Sequence, residues 1–565
     1  MALSQRHGLP ELVGRILAAR GVAVDDAEAY LDPTLRALMP DPSALKDMDR
    51  AADRIARAIE AGERIAVFGD YDVDGATSAA LLLRYLRALG GDPLLHIPDR
   101  MTEGYGPNAP ALRRLQEAGA GLAITVDCGT MALEPLAAAA AGGLDIIVLD
   151  HHIAAAKLPA AHAVVNPNRL DDSSGLGNLA ACGVTFLTLV AVNRALRRDG
   201  AFAGRAEPDL LGLLDLVALG TVCDVVPLTG LNRALVIQGL KVMARRHNPG
   251  LRALSDVARV TERIGAYHLG YILGPRVNAG GRIGRSDLGA RLLSTEDEAE
   301  AAEIAAILDS HNDDRKTIEA EVQRAAMALL DGRDDPGPVA VAAGEGWHPG
   351  VVGIVAGRLK DRYDRPTCIV ALEGGIGRAS CRSVPGVDIG AAVAEARAAG
   401  LLESGGGHPM AAGFAVRADN LAALVAFLHD HVRGQGRGPL VPVTQFDGTL
   451  AIGAATPALA ATVERLGPFG AGNPEPRFVL TAARAVAARV VGADHVSCFL
   501  TGAEGGRLKA IAFRALETPL GQALLDPAGA PLHLAGVLRV DRWKGQERAQ
   551  FQIDDGAPVW RGDGA

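Results

Sequence analysis

The sequence predicts an α/β protein with a β-barrel at its C-terminal end, on three observations. Between residues 64 and 166, short Val/Ile/Leu runs alternate with helical stretches, which predicts a parallel, doubly wound sheet. Residues 296–331 form a charged run with few helix breakers, which predicts a long helix joining two units. Over roughly the last 120 residues the pattern changes to short strands separated by turns, as in a small barrel or sandwich.

Each element follows in chain order. Residues 1–45 read as a helical lead-in ending in a Pro-rich turn, LMPDPSAL. A first α/β unit is expected over 46–290, with strands RIAVFG (64–69), PLLHIP (93–98), LAITVD (122–127), DIIVLD (145–150) and AVVN (163–166). Asp209 to Met243 reads as helices around the turn VCDVVPL. The connector occupies 291–335 and ends in the breaker cluster GRDDPGP. A smaller α/β unit over 336–434 starts at VAVAA, GQGRGPL (434–440) is a linker by composition, and the β-rich unit spans 441–560.

Composition narrows the function classes. The chain has 565 residues, 49% hydrophobic and 22% charged, an ordinary soluble composition that bounds the answer at about three or four domains. No apolar stretch reaches the ~20 residues of a membrane span. The first residues lack an apolar signal core, so no secretion signal is expected. Six scattered cysteines without a CxxC pair argue against zinc ribbons and disulfide frameworks and favour a reducing cytoplasm. A net charge of −9 excludes a generally basic nucleic-acid coat but not a locally basic groove.

Chemistry concentrates in the first unit. In IAVFGDYDVDGATSAA, Asp70, Asp72 and Asp74 follow a strand and precede a helix, at the sheet edge where ligands of open α/β sheets bind. Carboxylates this close repel one another, and a divalent cation relieves that. Taken alone, the segment also fits an aspartyl-nucleophile phosphatase or a solvated turn. An EF-hand loop fits poorly, because Leu81 stands where the Glu ligand belongs and a strand precedes it. ITVDCGT adds Asp127 after the third strand, and IIVLDHH adds Asp150, His151 and His152 after the fourth. Asp224 in GTVCDVVPL is a further candidate. Carboxylates and imidazoles without thiolates favour Mn²⁺ or Mg²⁺, and their number favours two ions, about 3.5–4 Å apart in phosphate-ester hydrolases.

The series DYDVDG, VDCG, DHH and a later Asp resembles the DHH phosphoesterase superfamily. GTVCDVVPLTGLNR, GPRVNAGGRIG, GWHPGVVGIVAGRL, SVPGVDI and ESGGGHPMAAGF are similar to segments of its single-strand-specific DNA exonucleases. The resemblance implies a DHH-type parallel-sheet domain, a connector helix, a smaller DHH-associated domain that binds substrate, and a C-terminal OB-fold. It implies that Asp72 and Asp127, with Asp70 nearby or as a ligand, hold one ion. Asp74, Asp127, His151 and Asp224 would hold the other. His152 would orient, protonate or contact the scissile phosphate, and Asp150 would support the histidines from behind. Some members begin the first motif with His; Phe68 stands near that place here, so fewer protein ligands are expected at the first ion.

Substrate candidates come from Arg- and Gly-rich segments. GPRVNAGGRIG offers Arg276, Asn278 and Arg282 among glycines, either as a phosphate cradle or as a tight structural turn, and the resemblance places Arg276 on a phosphate near the metals. ESGGGHPMAAG reads as a backbone cradle with Gly406, Gly407 and His408. Ser380 and Arg382 in GRASCRSVPGVD match a family element gripping the terminal 5′-phosphate side, while Arg100 and Tyr105 are weaker candidates. Between 484 and 548, nine basic side chains stand against six acidic ones, with Trp543 between Arg542 and Lys544; this fits a base-stacking groove or a solvated hairpin with a packed Trp.

The expectation is a two-metal 5′→3′ exonuclease on single-stranded DNA that releases 5′-mononucleotides in recombination and repair. Polarity and DNA preference come from the resemblance. Rival readings are a phosphodiesterase of short oligoribonucleotides or cyclic dinucleotides, which would not need the extra C-terminal domain, and a non-catalytic DNA-binding member, which would not need an intact ligand set. A single-strand-binding protein and a RecQ-type helicase are the partners the family implies, and a monomer is expected.

Overall fold

The structure, a computed structural model, describes residues 1–100, 102–333, 335–435, 444–526, 528–543 and 546–559, with the side chain of Trp543 outside that description. The first sheet comprises β1 (Ile65–Gly69), β2 (Leu94–His96), β3 (Leu122–Val126), β4 (Asp145–Leu149) and β5 (Ala163–Val165). All pairings are parallel, in the order β2-β1-β3-β4-β5. Every residue of β1 and β3 is buried, as expected of strands covered on both faces by helices. In this order the chain reverses direction at the β1/β3 boundary, and the crevice beyond their C-terminal ends is the standard ligand position. Asp70 and Asp127 each follow one of these two strands directly.

The expected connector is a helix of 34 residues, Glu298–Asp331, about 50 Å long at 1.5 Å per residue. Ala301, Ile304, Ala305 and Leu308 on its first half join the core of the first unit. Val322, Ala326 and Leu330 on its second half join a core under the second sheet. Between these stretches lie three buried polar residues, Asn312, Arg315 and Glu319. The second sheet contains β6 (Ala340–Glu345), β7 (Thr367–Glu373), β8 (Ile376–Arg382), β9 (Ser404–His408) and β10 (Ala411–Arg417), in the order β6-β7-β8-β10-β9. It is mixed: β6 and β7 are parallel and the other pairs antiparallel. The composition-based linker at 434–440 lies outside the described residues from 436 onward.

The C-terminal strands are β11 (Gly448–Thr449), β12 (Arg477–Val491), β13 (His495–Thr501), β14 (Leu508–Ala512), β15 (Leu532–Trp543) and β16 (Gln546–Pro558). They run in the order β11-β12-β13-β14-β16-β15, and a further β12–β15 pairing closes the barrel. Burial alternates along β13 and β14, as a filled barrel interior requires.

The N-terminal lead-in is not a separate unit. Leu3, Val13, Ile16, Leu17, Ala27 and Leu31 share one core with Phe478 and Phe551 of the barrel. A segment of this size cannot bury its apolar faces alone, so it takes a distant partner. Arg20 donates to Asn473 Oδ1 (2.6 Å) and to the Pro474 carbonyl (2.6 Å), and Tyr30 donates to Asn473 Oδ1 (3.0 Å). Among the described residues no helix is long and apolar enough to cross a membrane. All six cysteines are free.

Candidate metal centre

The site begins in the turn after β1. Asp72 caps the helix Val73–Ala88, accepting the Gly75 amide at 3.0 Å. A side chain at Gly75 would place its Cβ 2.4 Å from the Asp70 carbonyl oxygen, so glycine is required for the turn to fold back. Asp74 lies one step into the helix and is 1% exposed. Its carboxylate accepts the Ala181 and Cys182 amides (2.6 and 2.9 Å) at the start of the helix Ala181–Arg198, where the helix dipole favours negative charge. Asp127 follows β3 with φ 59°, a left-handed conformation that is costly for a residue with a Cβ and is found at functional sites.

The turn after β4 is organised around Asp150. Its carboxylate accepts the amides of Thr130 (3.0 Å), His151 (2.8 Å) and His152 (3.2 Å), and His152 Nδ1 at 2.8 Å. Burial opposes ionisation of Asp150, but the His152 bond and the Thr130 amide outweigh it and hold the carboxyl below its usual range. Asp150 thus supports the ring of His152 and the backbone of both histidines. Asn166 and Asn168, after β5, secure the same turn by donating to the carbonyls of His152 (2.8 Å) and His151 (2.6 Å).

These turns bring three overlapping triads together: Asp70–Asp72–Asp127, Asp74–His151–Asp224 and Asp127–His151–His152, with the ligand atoms of each triad within 4.8 Å of one another. His151 Nε2 lies 3.3 Å from Asp127 Oδ1, 3.6 Å from Asp224 Oδ2 and 3.9 Å from Asp74 Oδ2. Asp70 Oδ1, Asp127 Oδ1, Asp224 Oδ2 and His151 Nε2 are buried without a hydrogen-bond partner, although buried polar atoms are nearly always paired. Burial, then neighbouring carboxylates, push the Asp70 and Asp127 carboxyls well above the normal range and Asp224 up to about 9. Orphaned oxygens and suppressed ionisation in one cluster fit divalent cations bound by hard oxygen and imidazole ligands. Phe68 is buried inside β1 with its ring 5.0 Å from His96, and the first triad forms without it.

Arginines gather beside this floor. Arg100 lies over the Tyr71 ring at 5.2 Å. Burial, then the charges of Arg100, Arg315 and Arg382, bring Arg282 down to about 10, with Asp72 acting in the other direction. Arg382 is lowered by burial and Arg100, and its guanidinium donates to Ser380 Oγ at 3.1 Å. Arg282 also donates to the Gly350 carbonyl (3.1 Å), tying the first unit to the loop that carries His348. Burial and Arg100 lower the pKa of His348.

Several expectations need correction. GPRVNAGGRIG is neither cradle nor turn but the helix Gly274–Ile283. Its glycines serve packing: a Cβ at Gly281 would lie 2.8 Å from the Tyr71 carbonyl oxygen, and one at Gly274 2.4 Å from Cys223 Sγ. Asn278 sits mid-helix and half-buried. Arg276 is committed to Asp309 (2.8 Å) and the Ile272 carbonyl (2.8 Å); it is Arg282 that joins Arg100 and Arg382. The glycine run with Gly406, Gly407 and His408 forms the exposed edge strand β9. A Cβ at Gly407 would lie 2.5 Å from the Ala411 carbonyl oxygen, so this glycine allows close pairing with β10. In the barrel, Arg539 is paired with Glu475, Lys509 with Asp541, and Arg542 with Glu464 and Glu547. The stacking role of Trp543 concerns a side chain outside the described residues, as does Lys544.

The residues that sequence reading missed are Thr130, Asn166, Asn168, Arg315 and His348. NPN directly after a strand and the GWHPG turn were the available signals. Tyr105, a weaker substrate candidate from the sequence, donates to the Asp127 carbonyl at 3.1 Å and lies 3.4 Å from His152 Nδ1.

A parallel sheet whose switch point carries this ligand cluster defines a metal-dependent phosphoesterase of the DHH class. The family model "DHH family, N-terminal domain" matches residues 64–221, the "DHHA1 domain" 337–434 and the "RecJ OB domain" 446–555. Similar curated proteins from several bacteria carry the name single-stranded-DNA-specific exonuclease RecJ. The one from Bacillus subtilis is 33% identical over 98% of this chain and 69% of its own length. The one from Escherichia coli is 35% identical over 98% and 96%. The crystal structure of RecJ in complex with Mn²⁺ from Thermus thermophilus matches with a TM-score of 0.80 and 31% identity, covering 99% of this chain and 78% of that one. The chain belongs to the RecJ family.

Proposed function

We infer that this chain is a metal-dependent exonuclease specific for single-stranded DNA, removing 5′-mononucleotides from the 5′ end. The observation that carries this reading is the triad cluster at the β1/β3 switch point with an arginine group beside it, in a chain of this family. Asp70, Asp72 and Asp127 would hold one Mn²⁺ or Mg²⁺ ion, and Asp74, Asp127, His151 and Asp224 the other. Bound ions of this kind supply water activation and neutralisation of phosphate charge.

The chain's own side chains do the rest. Arg282, Arg100, Arg382 and Ser380 hold phosphates, the last two at the 5′-terminal one. Phosphate recognition falls to Arg282 and not Arg276, because Asp309 and Ile272 already occupy Arg276. Asp150 fixes the ring of His152, which contacts the scissile phosphate. Water oxygen adds to phosphorus and the P–O3′ bond breaks. The released nucleotide keeps its 5′-phosphate and gains a 3′-hydroxyl, and the remaining strand carries a new 5′-phosphate. The barrel guides the strand. A monomer working with a single-strand-binding protein and a helicase in DNA repair and recombination fits this chemistry, because the substrate must first be unwound.

The test is a 5′-phosphorylated single strand with distinct labels at its two ends, in Mn²⁺ or EDTA. Early release of the 5′ label as a mononucleotide, with metal only and not from blunt duplex, is expected. Loss of the 3′ label first overturns the polarity. Hydrolysis of dinucleotides alone favours the small-substrate phosphodiesterase.

A further inference from the structure

Aromatic residues make up only 4% of the chain, and two tyrosines stand exposed side by side. Tyr267 and Tyr271 are 63% and 74% exposed. Their rings are stacked, with centroids 5.2 Å apart and planes 26° from parallel. A single exposed aromatic is ordinary; two exposed rings stacked on each other hold one another in place, ready to extend the stack. The pair spans the short helix Ala266–His268 and the π-helical turn Leu269–Leu273 that follows it, a geometry frequent at functional sites.

This turn packs against the end of the helix that delivers Asp224. Cys223 Sγ lies 3.3 Å from the Leu269 carbonyl oxygen, and a Cβ at Gly270 would lie 3.5 Å from Val222 Cγ1. Val222 and Cys223 immediately precede Asp224. On its other side the turn runs directly into the helix that carries Arg282. The turn that carries the pair thus packs against the residues preceding Asp224 and leads into the helix of Arg282. Residues 258–273 hold two arginines, Arg259 and Arg263, against one acid, Glu262, in a chain whose net charge is −9.

We propose that Tyr267 and Tyr271 form a stacking platform for an unpaired nucleobase of the single strand, flanking the metal centre at Asp224. The proposal rests on the single-strand reading above. Aromatic faces with basic residues around them are how proteins hold single strands without reading sequence, because every base has a π-face. In duplex DNA those faces are covered, so the platform adds to single-strand preference. Two ring faces are also far smaller than the apolar patches of several hundred Å² that mark protein docking.

The test uses the full chain with Tyr267→Ala, Tyr271→Ala and the two Phe variants. Each alanine is expected to raise KM for a long single strand about tenfold while kcat holds, and phenylalanine to restore the wild-type KM. A strand containing 5-iododeoxyuridine, irradiated in EDTA, is expected to crosslink to Tyr267 or Tyr271, read by mass spectrometry. Unchanged KM in the alanine variants with no crosslink at either tyrosine overturns the platform. So does a phenylalanine variant as defective as alanine, or an equal loss on dinucleotides, which would mean the tyrosines act through Asp224. Because the crosslink needs no hydrolysis, it decides the platform even if the exonuclease reading fails.

Discussion

After β1 and β3 and at Asp224, carboxyls are packed so closely that their ionisation is suppressed; beside them, guanidiniums crowd until their hold on the proton weakens. Asp224 is pushed up to about 9 and Arg282 down to about 10. Burial is the first cause in both, and like-charged neighbours the second. Each group lacks a counter-charge of opposite sign: cations for the acids, phosphates for the arginines. The two unmet needs together describe a metal-bound phosphodiester better than either group alone. Asp215 separates the causes. It is buried without a carboxylate neighbour and, with the Leu216 amide and Arg84 drawing it down, rises only to about 6, whereas Asp224 has Asp74 and Asp72 beside it and nothing to offset them.

The largest expected effect breaks the acidic side. Asp127→Asn removes the charge shared by two triads and is expected to lower single-strand hydrolysis by more than about 10³-fold. The same change relieves repulsion, so the metal-free variant should melt higher than metal-free wild type, by a few degrees in a thermal scan. Mn²⁺ should then raise the Tm of wild type and not of the variant. A variant that stays active, or melts lower without metal, breaks the comparison.

The arginine side gives a smaller and more selective effect. Arg282→Ala is expected to lower kcat/KM on single strands by roughly 10- to 100-fold, the cost of one charged phosphate contact. Arg276→Ala should behave differently, because it strips Asp309 of its partner: a lower Tm and a KM within about twofold of wild type. Equal KM effects in the two variants would show that the helix, and not the individual side chain, binds phosphate.

The smallest effect sharpens the burial argument. A folded-state pKa of about 6 means that the fold prefers Asp215 protonated. Its contribution is intact below the unfolded pKa near 3.8 and is lost as pH rises through about 6. Asp215→Asn should therefore match wild type near pH 4, gain roughly 2–3 kcal/mol of relative stability by about pH 6, and hold that gain at higher pH. Urea unfolding across this range measures it. A constant offset at every pH would mean that Asp215 titrates normally.

Much of the ligand set was legible in advance because each member belongs to a local pattern. β1, β3 and β4 are continuous apolar runs, and Asp70, Asp127, Asp150, His151 and His152 come directly after them. A parallel sheet places all those ends on one edge, so strand positions alone bring them together. The barrel strands were readable for the same reason, by alternation and turns. Glycine was the ambiguous signal: in GPRVNAGGRIG and ESGGGHP it suggested an anion cradle or a turn, whereas the chain uses it to bring a helix against Tyr71 and a strand against β10.

By itself, then, the sequence determined the strands, the long connecting helix and the acids and imidazoles at one sheet edge, all of which rest on side-chain periodicity over a few residues. Tertiary structure decided the rest through contacts between distant residues. Asp74 takes amides 107 and 108 positions away, and Arg20 reaches Asn473 across 453. Whether Arg276 or Arg282 is left for phosphate depends on Asp309, on a different helix. The seating of the N-terminal helices on the barrel depends on an apolar face that only the folded barrel presents. Such pairings leave no periodic trace, because their energy comes from burial and charge assembled only when the chain is folded.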